Sequence, residues 1–490
     1  MNIIAFDLGG SGGKLFLGKY SGNKLHIQTL HRFEHAALPI NDNLYWDLPM
    51  IYQELLKGLS AAVEITNDTI DSLGIDSFCN DFALVSPKGE LLTQMHSYRD
   101  PRTMQLSSEI YKIVPPEELY QINGNQIAPF NTLLQLGAML LQGQQYLLEK
   151  NTLLFLPDLL IYFLSGRRFT EYTLASVSQL YHYHKNDWSG YILKEYGISK
   201  SLFAKIVNPG TINCRTNEQI NNTLHTKGFS ITHVCEHDTA SAFLASVCKG
   251  DYAIISCGTW ALIGTETPGP IINKYGYKYN IANEGGYPGH HRILKNVMGT
   301  WIIQEVRADF KTQGIDYSFS EMENAAKEAK PFQFIIDVDS KIFYSPGHMI
   351  QKIQDYCKHY YNSIPSTLGE IIRCIYESLA LKYRWNLECL QSLTGKSFET
   401  INMIGGGSQS ELMCQFTANA AGKTVVAGPV EATALGNMIV QLAALKQISG
   451  IEEGRNIIRK SFPTLGYKAT ERQLWNKQYE KFLSQVHKMQ

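Results

Sequence analysis

The sequence predicts an α/β protein of two similar domains, and three observations predict it. Strand-like and helix-like segments intermix along the chain. A short apolar run, a turn of small residues and a second β-prone run occupy residues 2–18, and the same design returns at 252–264. The chain has 490 residues, too many for one ordinary core at about 100 to 200 residues per domain. A spacing of about 250 residues is too long for a solenoid repeat and suits a duplicated domain facing its copy across a cleft. The expected division is 1–245 and 246–490.

In chain order, Asn2 to Phe6 is strand, Gly9 to Gly13 turn, and Lys14 to Gly18 a second strand. Ile51 to Ile65 and Leu133 to Leu148 have helical apolar spacing, and Ile70 to Phe82 reads as a buried strand region. The second half brings the Tyr252 to Gly264 hairpin and a long, mostly buried helix over Leu368 to Leu393. Thr400 to Gly407 is a strand running into glycines, with Ser408 and Glu411 at capping-box spacing, and Ala432 to Leu445 is a further helix.

Hydrophobic residues at 44% and charged ones at 18% describe a packed globular chain, not a disordered one. A net charge of −1, with basic clusters no longer than Gly166-Arg167-Arg168, excludes a nucleic-acid stripe. Nine cysteines, odd in number and without a C-x-x-C pair, argue against a disulfide framework or a zinc ribbon. No run approaches the ~18 apolar residues of a membrane span. A cytoplasmic protein is expected, with no nucleic-acid or membrane partner.

The first turn carries the chemistry. Glycines let backbone N–H groups converge on an anion, through positive φ and close approach, so FDLGGSGGK suits a phosphate. Asp7 directly before it makes sense if a divalent cation lies between carboxylate and phosphate. A P-loop is excluded, since Leu8 and Leu15 stand where it needs Gly and a hydroxyl; the dinucleotide fingerprint fails at Leu15 and at Ser410. A hairpin must hold the phosphate. Thr259 in the second hairpin would add a hydroxyl and an N–H from the other half. An ordinary glycine hairpin, with Thr259 a plain turn residue, is the alternative.

Asp238 opens the Ala-rich helical pattern of CEHDTASAFLAS. It reads either as a helix N-cap or as a carboxylate kept ionised by the helix dipole and able to accept a proton from a substrate hydroxyl.

The stretches DLGGSGGK (7–14), GIDSFCNDFAL (74–84), SYRDPRT (97–103), HDTASA (237–242), SCGTW (256–260), LKNVMGTWIIQ (294–304) and IGGGSQ with AGPVEATALGN (404–437) together resemble the FGGY carbohydrate kinases of the actin-like ATPase superfamily. Within the family the chain is most similar to the branch acting on L-rhamnulose. The resemblance implies two ribonuclease H-like domains with the active site in the interdomain cleft, ATP and Mg2+ as cosubstrate and cofactor, and a small sugar as partner, with a homodimer an allowed assembly. The first domain would bind sugar and phosphate and carry the base, the second the nucleotide.

Residue by residue, it implies that Gly10, Ser11, Gly12, Gly13, Lys14 and Thr259 contact phosphates. Gln304 and one of Gly405 and Gly406 would contact the nucleoside, and Asp7 would reach magnesium through water. Asp238 would be the base, and His237, Thr239 and Asn296 would hold the sugar. Taken from the residues alone, Asn296 reads first as a cap, Gln304 as an exposed helical polar residue, and Trp46, Trp260 and Trp301 as core rather than sugar platforms. Cys79 stands where the branch has a sugar-facing Gly, and Asn80 where it has another neutral residue. Gly12 replaces a Ser, and Lys14 replaces an Arg without loss of the point charge. The implied reaction is phosphorylation of the C1 hydroxyl of a 6-deoxy-ketohexose, L-rhamnulose before L-fuculose or a pentulose such as xylulose or ribulose. An actin-like nucleotide switch and a non-catalytic sugar sensor are the rivals.

Overall fold

The computed structural model describes residues 1–489 and divides into two compact units, each discontinuous in sequence. The first contains Met1–Ala245, Glu266–Ile293 and Ala432–Ser461; the second contains Ser246–Thr265, Leu294–Glu431 and the chain from Phe462 onward.

In the first unit, β1 (Asn2–Gly9), β2 (Gly12–Ser21), β3 (Lys24–Glu34), β4 (Ser72–Ser77), β5 (Thr211–Arg215) and β6 (Ser230–His233) form one sheet in the order β5-β6-β4-β1-β2-β3. β1 runs parallel to β4 and β4 parallel to β6, while β2, β3 and β5 are antiparallel to their neighbours. The carboxyl ends of three adjacent parallel strands therefore share one edge, where open α/β sheets place their ligands.

The core explains the sheet. Ile4, Phe6, Leu8, Leu15, Leu17, Leu73 and Ile75 cluster with Ile51, Leu55, Leu59 and Ala62 of the helix Leu48–Thr66. That helix starts where Asp47 accepts from Met50 N at 3.1 Å and stops at Asn67, whose φ of 50° is left-handed. The helix Ala432–Ala444 contributes Gln441, whose Nε2 donates to Ile4 O at 2.8 Å, and passes tightly over the helix Asp238–Leu244. A Cβ on Gly436 would lie 1.7 Å from Ser241 O, so only glycine permits this crossing.

In the second unit β7 (Tyr252–Cys257), β8 (Trp260–Thr267), β9 (Thr400–Ile404), β10 (Thr424–Ala427) and β11 (Leu465–Tyr467) follow the order β8-β7-β9-β10-β11. A leading antiparallel hairpin, two parallel neighbours and an antiparallel edge reproduce the arrangement β2-β1-β4-β6-β5. The duplication read from two hairpins thus extends to the strand order. The long helix spans Leu368–Thr394, opened by a Thr367–Glu370 capping box and ended by Gly395.

Three local readings change. The helix expected over 133–148 ends at Leu141, because Gly143 takes a φ of 75° and Gln145–Leu147 forms only a 3-10 turn. The strand region over 70–82 breaks after Ser77 at Asn80, whose φ is 76°, and resumes at Phe82–Val85. Ser408 does not cap a helix. Its hydroxyl donates to Gly405 O at 2.7 Å, and Ser410 caps instead by accepting from Met413 N at 3.2 Å.

Candidate active site

At the shared edge of the first sheet, Ser77 N donates to Glu236 O at 2.9 Å and Phe78 N to Leu8 O at 3.2 Å. These bonds bring the ends of β1, β4 and β6 together, and with them Asp7, Cys79 and the segment His237-Asp238-Thr239. Asp7 lies opposite Lys14 on β2 and opposite Asp76 on β4. Cross-strand partners share a face, so the hairpin presents a carboxylate and an ammonium side by side.

The glycines act through space rather than dihedral angle. Gly10, Gly12 and Gly13 are absent from the positive-φ residues, contrary to the expectation of left-handed backbone. A Cβ on Gly10 would come within 2.8 Å of Tyr98 Oη, and one on Gly12 within 2.6 Å of Phe33 O. Ser11 and Gly10 form the exposed tip. Bare backbone is what the tip offers a ligand.

Asp238 is the first residue of its helix, and His237 takes the N-cap position. Asp238 Oδ1 accepts from Thr239 N at 2.6 Å, and the side chain keeps 22% of its surface exposed. Its carboxyl is pushed up to about 8, first by burial and then by the charge of Asp7. Burial and the Asp7 charge thus oppose the helix dipole at Asp238, since the helix Asp238–Leu244 is short and a like charge stands close.

Asp76, which the sequence reading passed over, is fully buried. Its Oδ2 accepts from Asn437 Nδ2 at 2.6 Å, whereas Oδ1 has no donor, and burial and then Asp7 push its carboxyl well up. Asp81 was missed as well. It accepts from Trp46 Nε1, Tyr98 N and Gln135 Nε2 at 2.7, 2.9 and 2.8 Å, and so fixes the loop beside the glycine turn. Asn80 is structural, since its carbonyl accepts from Thr132 Oγ1 at 3.0 Å and its amide donates to Cys79 Sγ at 3.1 Å. Burial, followed by Glu284, Asp238 and Asp81, pushes the Cys79 thiol well up, so it faces the site as a neutral group.

Beneath this segment lies a buried acid cluster. Glu171 Oε2 accepts from Thr173 N at 2.8 Å, Glu236 N at 3.3 Å and the Thr173 hydroxyl, which itself accepts from His237 N at 3.1 Å. Asp158 Oδ1 accepts from Glu171 N at 3.0 Å, and Glu236 Oε1 meets His233 Nδ1 at 2.7 Å. Asp158 Oδ2 and Glu236 Oε2 have no donor. Burial pushes both carboxyls well up, with each other's and Glu171's charge adding to it for Asp158 and Glu171's for Glu236. A proton on one of the two carboxyls would supply a donor for the other, and Asp158, His233 and Glu236 offer ligand atoms within 4.8 Å of one another. An amide mimics a protonated carboxyl. D158N is therefore expected to keep stability within about 1 kcal/mol, whereas D158A loses about 2 to 3 kcal/mol, read by urea unfolding.

The second unit gathers the other predicted residues. Thr259 O accepts from Gly299 N and Trp301 N, both at 3.2 Å, and Gly258 O accepts from Thr300 N at 2.9 Å and Thr300 Oγ1 at 2.8 Å. Gln304 Nε2 donates to Thr300 Oγ1 at 3.1 Å, which ties it to the hairpin tip. Gly405 has a φ of 79°, and a Cβ there would meet Cys257 O at 3.1 Å, so the glycine turn packs against the end of β7. Gly406 beside it is exposed, and Asn296 is half-buried on the strand His291–Met298. Of the tryptophans Trp46 is core, but Trp260 and Trp301 are half-buried, the latter donating from Nε1 to Phe343 O at 3.1 Å. No disulfide joins cysteines among the described residues, and none of their helices is long and apolar enough to cross a membrane.

Comparison with known proteins shows the family and the fold. Residues 2–245 match the N-terminal domain and residues 253–445 the C-terminal domain of the FGGY family of carbohydrate kinases. A rhamnulokinase of Bacteroides thetaiotaomicron is 35% identical over 482 residues, covering 98% of each chain, and one of Bacillus subtilis is 35% identical over 464 residues, covering 94% of each. The fold is shared with a xylulose kinase of Lactobacillus acidophilus, at a TM-score of 0.84 and 15% identity over 100% of this chain and 98% of the other. It is also shared with a Plasmodium falciparum glycerol kinase, at 0.81 and 14% over 99% and 98%. On its two matched domains and its full-length relatives, the chain belongs to the FGGY family of carbohydrate kinases.

Proposed function

We propose that this carbohydrate kinase transfers the γ-phosphoryl group of ATP to the C1 hydroxyl of a 6-deoxy-ketohexose, L-rhamnulose first, in the cytoplasm. The observation that carries the reading is Asp238. One of its oxygens is tied to Thr239 N, which leaves Oδ2 for a substrate hydroxyl, and it feels the charges of Asp7, Arg292 and Glu284. The full-length relatives named rhamnulokinase support the choice of sugar.

In this reading His237, Thr239 and Asn296 hold the ketose, with Cys79 at its edge, and Asp238 aligns the C1 hydroxyl and removes its proton as the bond to phosphorus forms. Backbone N–H groups of Gly10 to Gly13, the Lys14 ammonium and Thr259 bind phosphates. Gln304 and the Gly405-Gly406 turn bind the nucleoside. The carboxylates fit a divalent cation, since Asp76 Oδ1 lacks a donor and Asp7 raises both Asp76 and Asp238. Asp7 would hold it through water, and bound magnesium would supply the positive charge that neutralises phosphate and keeps Asp238 ionised.

The test is ADP release from Mg-ATP in the presence of L-rhamnulose, L-fuculose, D-xylulose, L-ribulose or glycerol. The highest kcat/KM is expected with L-rhamnulose. Preference for a pentulose or glycerol overturns the choice of sugar, and ADP release that no sugar stimulates overturns the kinase reading in favour of a nucleotide switch.

A further inference from the structure

Arg292 is buried to 1% exposure, and its two terminal nitrogens point at the proposed sugar-binding segment His237-Asp238-Thr239. Its Nε donates to Gly285 O at 2.9 Å, its Nη1 to Thr239 Oγ1 at 2.8 Å, and its Nη2 to His237 Nδ1 at 3.2 Å. Nη2 also lies 3.0 Å from Glu284 Oε2, and the guanidinium sits over the Phe243 ring. Guanidinium has no acceptor and does not lose its proton in proteins. His237 Nδ1 must therefore present a lone pair to it, which leaves the ring proton on Nε2.

The rest of the network follows from counting lone pairs. Thr239 Oγ1 lies 2.9 Å from Nε2 and 3.5 Å from Nδ1 of His237, beside the ring rather than in line with Nε2–H, and accepts from Arg292. With Nδ1 occupied by Arg292 and Nε2 protonated, neither ring nitrogen can accept from Thr239, so its hydroxyl hydrogen is directed to an outside acceptor. We infer that Arg292 is a positioning residue that locks His237 as the neutral Nε2–H tautomer and turns Thr239 into a donor, so that the sugar meets fixed donors next to Asp238. The inference rests on the proposed role of His237 and Thr239 in holding the sugar.

The groups facing His237 show why a lock is needed. Glu284 Oε2 stands 3.5 Å from Nδ1 and Asp238 Oδ1 3.6 Å from Nε2, while the backbone N of His237 is held by Thr173 Oγ1, itself bonded to Glu171. Taken alone, Glu284 beside Nδ1 would draw a second proton onto the ring. Arg292 occupies the Nδ1 side and cancels Glu284. Burial and then the Arg292 charge hold His237 well below its usual range, in accord with that arrangement.

The test uses full-length protein labelled with 15N-histidine, with the His237 signals identified by their loss in H237Q. In wild-type protein without ligand, Nδ1 is expected unprotonated and Nε2 protonated from about pH 6 to about pH 8. In R292M, Glu284 is left beside Nδ1 and the ring is expected to titrate in that window. A new ionisation then enters the pH profile of kcat/KM, and KM for the sugar rises about tenfold, as for one lost hydrogen bond. R292K keeps charge and a donor and is expected to restore the wild-type ring pattern; R292M/E284Q removes the opposing pair and is expected to lose the new ionisation.

A wild-type ring protonated on Nδ1, or an R292M ring and pH profile unchanged from wild type, overturns the inference. If R292M fails to fold, the wild-type tautomer and the R292K profile decide it. A ring as described, with KM unaltered in both H237Q and R292M, shows instead that the sugar reading has failed, and the positioning role with it.

Discussion

Replacing Asp238 with Asn is expected to lower kcat for sugar phosphorylation by about 10³-fold while ADP binding, measured by calorimetry, stays close to wild type. The amide has the size of the carboxyl and can keep the bond from Thr239 N at Oδ1. It cannot take up a proton. Asp7 and the glycine turn remain in place, so binding and catalysis should separate. Turnover near the wild-type level would show that another group acts as base.

G436A is expected to have the largest effect of any single methyl addition. The added carbon would fall 1.7 Å from Ser241 O, which is main chain inside the helix Asp238–Leu244 and cannot rotate away. The two helices must separate, and the cost is about 3 kcal/mol, at the upper end of overpacking. Asp238 opens the displaced helix, so kcat should fall along with stability. Urea unfolding with turnover at low temperature checks both. A fall in stability with normal kcat would mean that the displacement stops short of the helix start.

What could be read in the sequence was local. Both hairpins were visible because a glycine or Gly-Thr turn between β-prone runs is written in consecutive residues, and the reading of the eight positions Asp7 through Lys14 needed nothing distant. The acid at Asp238 was visible for the same reason. Its protonation was not, because burial and Asp7 decide it across the sheet. Arg292 and Glu284 were illegible, since their partners are 53 and 55 positions away for Arg292 and nothing in HHRILKN marks a guanidinium pointing inward. Asp76 looked like one more residue of a buried strand. The cap at Ser410 rather than Ser408 turned on which of two serines the 3-10 turn at Gly406–Gln409 used up, a matter of backbone path and not of spacing.

The segment Ala432–Ser461 belongs to the same compact unit as the amino terminus. From there Gln441 donates to Ile4 O and Asn437 to Asp76 Oδ2. During synthesis, the strands that emerge first must wait for a helix encoded near the other end of the message. Roughly 190 residues separate Ala245 from Ala432, roughly 10 to 40 s of translation, in which the nascent half exposes one apolar sheet face to the ribosome's surroundings.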